Sequence, residues 1–309
     1  MANLIATSAV RGGNPGEPRG GVYLINLDSG QVLKPLDSGT FDVDREGQDR
    51  ERGLRGVACD QDRIYIATSE ELLVFDQAFN AVASFRNAYL ENCQEICVFE
   101  RHLFLTSAGY DAILGFNLET ESFDWALRIV TDGRVFGARR FDPNGDEGPL
   151  LIDKLQLNNV HCEKGGMYVS GKRTGALLRF GGERVGIATT LPQGVHNARP
   201  YRDGVLFNDT EAGAMRFESP TSRQVLPVPR FPAHKMTHAG PDALGGARPG
   251  FGRGLCVISD NEVAAGSAPA TVSIYDLDAG KAVKVVNLSL DARNAIHSVE
   301  VWPYAWPDR

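Results

Sequence analysis

The feature that most constrains this chain is a recurring unit of short, closely spaced strands. In residues 155–180, LQLNNVHCEKGGMYVSGKRTGALLRF, apolar runs at 157–162, 167–170 and 176–180 are separated by Lys164-Gly165-Gly166 and Thr174-Gly175. Runs so close together can pair only with their immediate neighbours, as an antiparallel meander. The same order of strand, polar turn, aromatic-bearing strand, small-residue turn and strand recurs at 57–76, 96–117, 197–218 and 253–277. Such a unit cannot bury both its faces alone. A period of roughly 40 residues with four strands per unit predicts an all-β fold, the β-propeller, in which each unit is a blade.

The two ends of the chain complete the count. Residues 4–10, 21–27 and 31–36 read as three strands that lack an inner partner, and AIHSVEVW at 295–302 alternates like a strand with no partners of its own. Joining them makes a sixth blade from both termini and removes the open edge that would invite aggregation. The sequence therefore predicts one six-bladed domain over 1–309, with insertions between blades at about 131–154 and 229–252. Blade two is expected to end near Leu127, leaving 131–154 as a long connection. The first insertion holds Asp142, Asn144, Asp146 and Glu147, whose spacing lacks the later glycine and glutamate of a calcium loop.

Composition narrows the function classes. A net charge of −7 without a basic patch argues against nucleic acid as a partner. The longest apolar runs fall far short of the roughly 18 residues of a membrane span, and residues 1–10 lack the basic start and long apolar core of a leader. These features predict a soluble, cytoplasmic protein with no membrane partner. The odd number of cysteines, 5, predicts reduced thiols rather than a disulfide framework, and Cys93-x-x-x-Cys97 has no second pair to complete a zinc site. No G-x-S-x-G elbow, P-loop or dinucleotide fingerprint is present.

In a propeller the connections between blades all lie where the inner strands begin, at one mouth of the axial channel. The blades align to place Arg55-Gly56, Gln94-Glu95, Asn158-Asn159, His196-Asn197, Arg253-Gly254 and Ile296-His297 there. His161 lies two residues beyond Asn159 and shares its side of the strand, and His238 sits in the second insertion. Imidazoles from separate strands are the ligand set of an open metal site. This makes His161, His196 and His297 candidate ligands of a divalent ion, Zn, Fe, Mn or Ca. Glu95 is the candidate base, and His238 a ligand or proton donor supplied when the loop closes. Arg55 and Arg253 match a carboxylate or phosphate in a bidentate way. Asn159 and Asn197 complete the candidate substrate contacts.

LNNVHCEKGGMYVSG, LPQGVHNARPYRDGVLFNDTEAGAMRF and GFGRGLCVISDNEVAAGSAPATVSIYDL resemble successive blades of an uncharacterised group of bacterial propeller proteins. That resemblance spans residues 155–277; in its second motif His196 matches while its neighbours depart. It implies a fold and no reaction. More distantly, Glu95, Asn159 and Asn197 are similar to the axial divalent-ion ligands of gluconolactonase-like hydrolases. His161, His196 and His297, with Arg55 and Arg253, are similar to the zinc site of peptide-amidating lyases. The expectation is a metal-dependent hydrolase or lyase acting on a small anionic substrate at the axial mouth. The competing expectation is a propeller that binds a partner without catalysis.

Overall fold

The computed structural model of the chain describes residues 2–11, 20–37, 53–181, 184–239 and 250–307. Six antiparallel sheets form a ring. Their inner strands are Val57–Asp60, Ile96–Phe99, Leu157–Glu163, Val195–Tyr201, Gly252–Val257 and Asn294–Trp302, and each touches the next right round the axis. The sixth sheet closes as the sequence predicts: Asn294–Trp302 is innermost, followed outward by Asn3–Val10, Gly20–Asn26 and Val32–Asp37.

The core lies between the blades. Each sheet presents one face of alternating apolar side chains to the sheet before it and the other to the sheet after it. Tyr65, Leu72 and Val74 of blade one therefore meet Leu103, Leu105 and Phe116 of blade two in one buried cluster. Further clusters fill the other gaps between blades. Where the ring closes, Trp302 stacks on Phe79 of blade one with centroids 5.6 Å apart. Just beyond, the hydroxyl of Tyr304 donates to the carbonyl of Arg63 at 2.8 Å, which ties the chain end to the same blade.

Blade two differs from the expectation. Its fourth strand runs through Ser122–Thr131 and is followed by a fifth, Phe136–Arg140, so the first insertion begins as a hairpin. The reason is local turn chemistry: Asp132 Oδ1 accepts from the amides of Arg134 and Val135 at 2.8 and 2.9 Å, and Gly133 takes φ +96°. The rest of the insertion is held by its own contacts. The Tyr89 hydroxyl donates to the carbonyl of Gly145 and accepts from the amide of Gly148, both at 2.8 Å. Asn144 Nδ2 donates to the carbonyl of Phe123 at 2.7 Å.

Candidate anion site at the axial mouth

Near the start of three inner strands regular pairing breaks. Register shifts fall between Leu157 and Asn159, between His196 and Arg199, and between Arg253 and Leu255. A bulge places two residues opposite one, so neighbours escape strict alternation and can be aimed separately. Asn197 at φ +54° and Gly254 at φ +76° supply the left-handed turns. A Cβ on Gly254 would stand 3.1 Å from the backbone of Ser298, so that approach also favours glycine.

The bulges sort the ring residues into two groups. Asn158 and His196 face a cavity of about 370 Å³, whose wall also carries Arg55, Lys172, Arg253, Glu91 and Asp153. Their neighbours turn sideways and tie the blades together. Asn159 Nδ2 donates to the carbonyl of Ala198 at 2.6 Å, and Asn197 Nδ2 donates to Glu95 Oε2 at 2.7 Å while its Oδ1 accepts from the amide of Gly254 at 2.8 Å. Ser298 Oγ bonds the other oxygen of Glu95 at 2.7 Å. Glu95 thus joins blade two to blade four and to the terminal blade. Burial pushes its carboxyl up to about 8, with the nearby Glu300 adding to the rise and the bond from Ser298 opposing it. Both its oxygens are thus engaged between blades, and it is not among the residues of the cavity wall.

The histidines divide as well. The Nδ1 of His196 lies 3.2 Å from the carbonyl of Gly194; a carbonyl only accepts, so Nδ1 carries the proton and Nε2 carries the lone pair. His297 Nε2 lies 2.8 Å from Arg253 Nη1, and a guanidinium only donates, so that lone pair is engaged. Both rings are held well below the usual histidine range. Burial is the larger cause for each, followed by Arg253, with Arg11 also contributing to both. His161 stands elsewhere, its Nε2 3.9 Å from Glu163 Oε2 and its ring beside Cys97. Two residues along a strand carry a side chain about 7 Å farther down the channel, so sharing a side with Asn159 does not bring His161 to the mouth.

His161, His196 and His297 are therefore not gathered, and among the described residues no group of three or more His, Cys, Asp or Glu side chains is placed to hold a metal ion. The donor set does not fit the expected ion. His238 is half-exposed and pairs with Asp291 at 3.2 Å, apart from the cavity wall. Both insertions nevertheless reach the mouth. Leu151 and Asp153, from the end of the first, line the cavity. Phe251, from the end of the second, lies under the guanidiniums of Arg253 and Arg11 at 5.0 and 5.4 Å and meets the ring of His196 edge-on at 5.1 Å. Residues 240–249 lie outside the described ones. Sequence reasoning placed Asn158 at the mouth without giving it a role, and it missed Lys172, Asp153 and Arg11. Asn158 was legible as the partner of Asn159, but Lys172 and Asp153 come from turns whose reach no strand pattern encodes.

No family model and no curated protein matches the chain. Among solved structures it is similar to a protein of unknown function from Bacteroides caccae, at 12% identity and a TM-score of 0.58, over 98% of this chain and 100% of that one. It is also similar to a chain of a nidogen–laminin complex, at 10% identity and a TM-score of 0.60, over 97% and 98%. Likeness at this level concerns the propeller fold alone.

Proposed function

We propose that the protein binds a small organic anion at the axial mouth. One observation carries this reading: Arg55, Lys172 and Arg253 stand on one cavity wall with the buried His196, and positive charge there adds to burial, the larger cause, in keeping His196 and His297 neutral. A field that disfavours a proton on two buried imidazoles disfavours a divalent cation beside them and favours an anion. The small cavity and the planar guanidiniums suit a carboxylate. The metal-dependent hydrolase or lyase anticipated from the histidine pattern would need ligands that this arrangement does not assemble, and Glu95, with its two oxygens bonded to Asn197 and Ser298, is not on the cavity wall. Binding is the function that the geometry supports best.

The test is calorimetry at low ionic strength with acetate, lactate, succinate, citrate and inorganic phosphate. At least one is expected to bind saturably at one site, and Arg253→Gln is expected to weaken it about tenfold, equivalent to about 1.4 kcal/mol. Gln retains a donor toward His297, so the fold should be kept. An Arg253→Gln protein that binds as tightly as the parent, or a parent that binds none of the five, would sink the proposal.

A further inference from the structure

The cavity is not uniformly an anion's. Three buried acceptor atoms, Nε2 of His196, Oδ1 of Asn158 and Oδ1 of Asp153, have no hydrogen-bond partner among the described residues. All three residues belong to the wall that carries Arg55 and Arg253. His196 and Asn158 are only 2% and 4% exposed, so bulk water does not answer for them. The complementary atom of each is already spent, Nδ1 of His196 toward Gly194 and Nδ2 of Asn158 toward the carbonyl of Val195 at 2.7 Å. What remains at all three points is a lone pair. Buried acceptors are normally satisfied, and a pair of arginines alone does not explain them.

We propose that the ligand is a zwitterion of α-amino-acid type. Its carboxylate lies at Arg55 and Arg253, and its ammonium donates to Asp153, Asn158 and His196. This rests on the anion reading above and adds the opposite pole to it. An inorganic anion or a simple carboxylate brings no donor and leaves the three acceptors bare. A hydroxy acid supplies a single donor. An ammonium supplies three donors and a positive charge, which the carboxylate of Asp153 favours and a second anionic group would not. A volume of 370 Å³ lies near the lower end of ligand cavities, roughly 300–1,000 Å³, as suits a small molecule.

The experiment is a thermal-shift and calorimetric screen of the full chain against the standard amino acids. For the tightest, it continues with its deamino carboxylate, its 2-hydroxy analogue and its methyl ester. The amino acid is expected to bind about tenfold or more tightly than the deamino acid, with the hydroxy acid between them. Asp153→Asn, at a residue with φ +48° where asparagine is well tolerated, is expected to narrow that ratio without loss of folding. If the deamino acid binds as well as the amino acid, the zwitterion proposal is overturned while the anion site stands. If the methyl ester binds as well as the free acid, the anion reading itself fails. No binding by any standard amino acid overturns the proposal, and so does an Asp153→Asn protein with an unchanged ratio.

Discussion

Glu95 shows how far one buried side chain can depart from the role its residue type suggests. Its folded carboxyl titrates at about 8 against an ordinary value of 4.5. Between those limits the folded protein keeps a proton that the unfolded chain has released. The contribution of Glu95 to stability is therefore full below pH 4.5 and is lost as pH rises toward 8, by about 1.4 kcal/mol per pH unit. Gln matches the protonated acid in shape and charge and keeps an oxygen that accepts from Asn197. Glu95→Gln is thus expected to match the parent near about pH 5 and to exceed it by a few kcal/mol near about pH 8, read from urea titrations. Parallel profiles would show that the carboxyl is ionised in the fold. The depressed pKa of His196 and His297 acts in the other direction: stability present above 6.5 is lost as pH falls below it. Extending the same titrations below about pH 6 should show a decline of up to about 1.4 kcal/mol per pH unit for each ring, and His196→Gln should make it shallower.

At the scale of elements, the first insertion is a loop only in part. Its hairpin strand extends blade two, and the remainder is stapled by the Tyr89 hydroxyl between Gly145 and Gly148. Gly148 is packed so closely that a Cβ there would lie 2.0 Å from Cζ of Tyr89. Tyr89→Phe removes two hydrogen bonds and keeps the ring, whose edge contacts with Tyr110 and Phe141 remain. It is expected to lower stability by about 1–3 kcal/mol. Amide exchange at Gly148 and its neighbours should speed up more than exchange in the inner strands. Uniform acceleration would mean that the staple holds the whole ring, and unchanged exchange that it holds nothing.

For the whole molecule, closure is the decisive event, because five sheets are each built from consecutive strands and one is built from both ends of the chain. Asn294–Trp302 supplies that sheet's innermost strand and also brings His297, Ser298 and Trp302 to their partners. Deleting residues 295–309 is expected to abolish cooperative unfolding and yield aggregated protein, since it strips the inner edge from Asn3–Val10 and exposes the clusters on either side. Melting followed by circular dichroism checks this, and a soluble truncation with one sharp transition would refute it. A milder version, Trp302→Ala, should cost about 3–5 kcal/mol through the lost stack on Phe79.

The blade count, the terminal closure and the ring positions of Arg55, His196, Arg253 and His297 were all legible in the sequence. Strand alternation and turn residues are local signals, and a sixfold repeat of them fixes which strand of each unit is innermost. The fifth strand of blade two had a local signal too, Thr131-Asp132-Gly133, set within a stretch otherwise read as loop. The aim of each ring side chain had none. Whether an asparagine faces the cavity, as Asn158 does, or binds the next blade, as Asn159 does, depends on a bulge, which is a relation between two strands. The charge state of Glu95 and the lone pairs left on His196, Asn158 and Asp153 depend on burial and on partners from other blades. His161 was assigned to the mouth by a period-two argument that is right about side and silent about depth. Those properties arise only once six blades meet at one axis, where distance through space replaces distance along the chain.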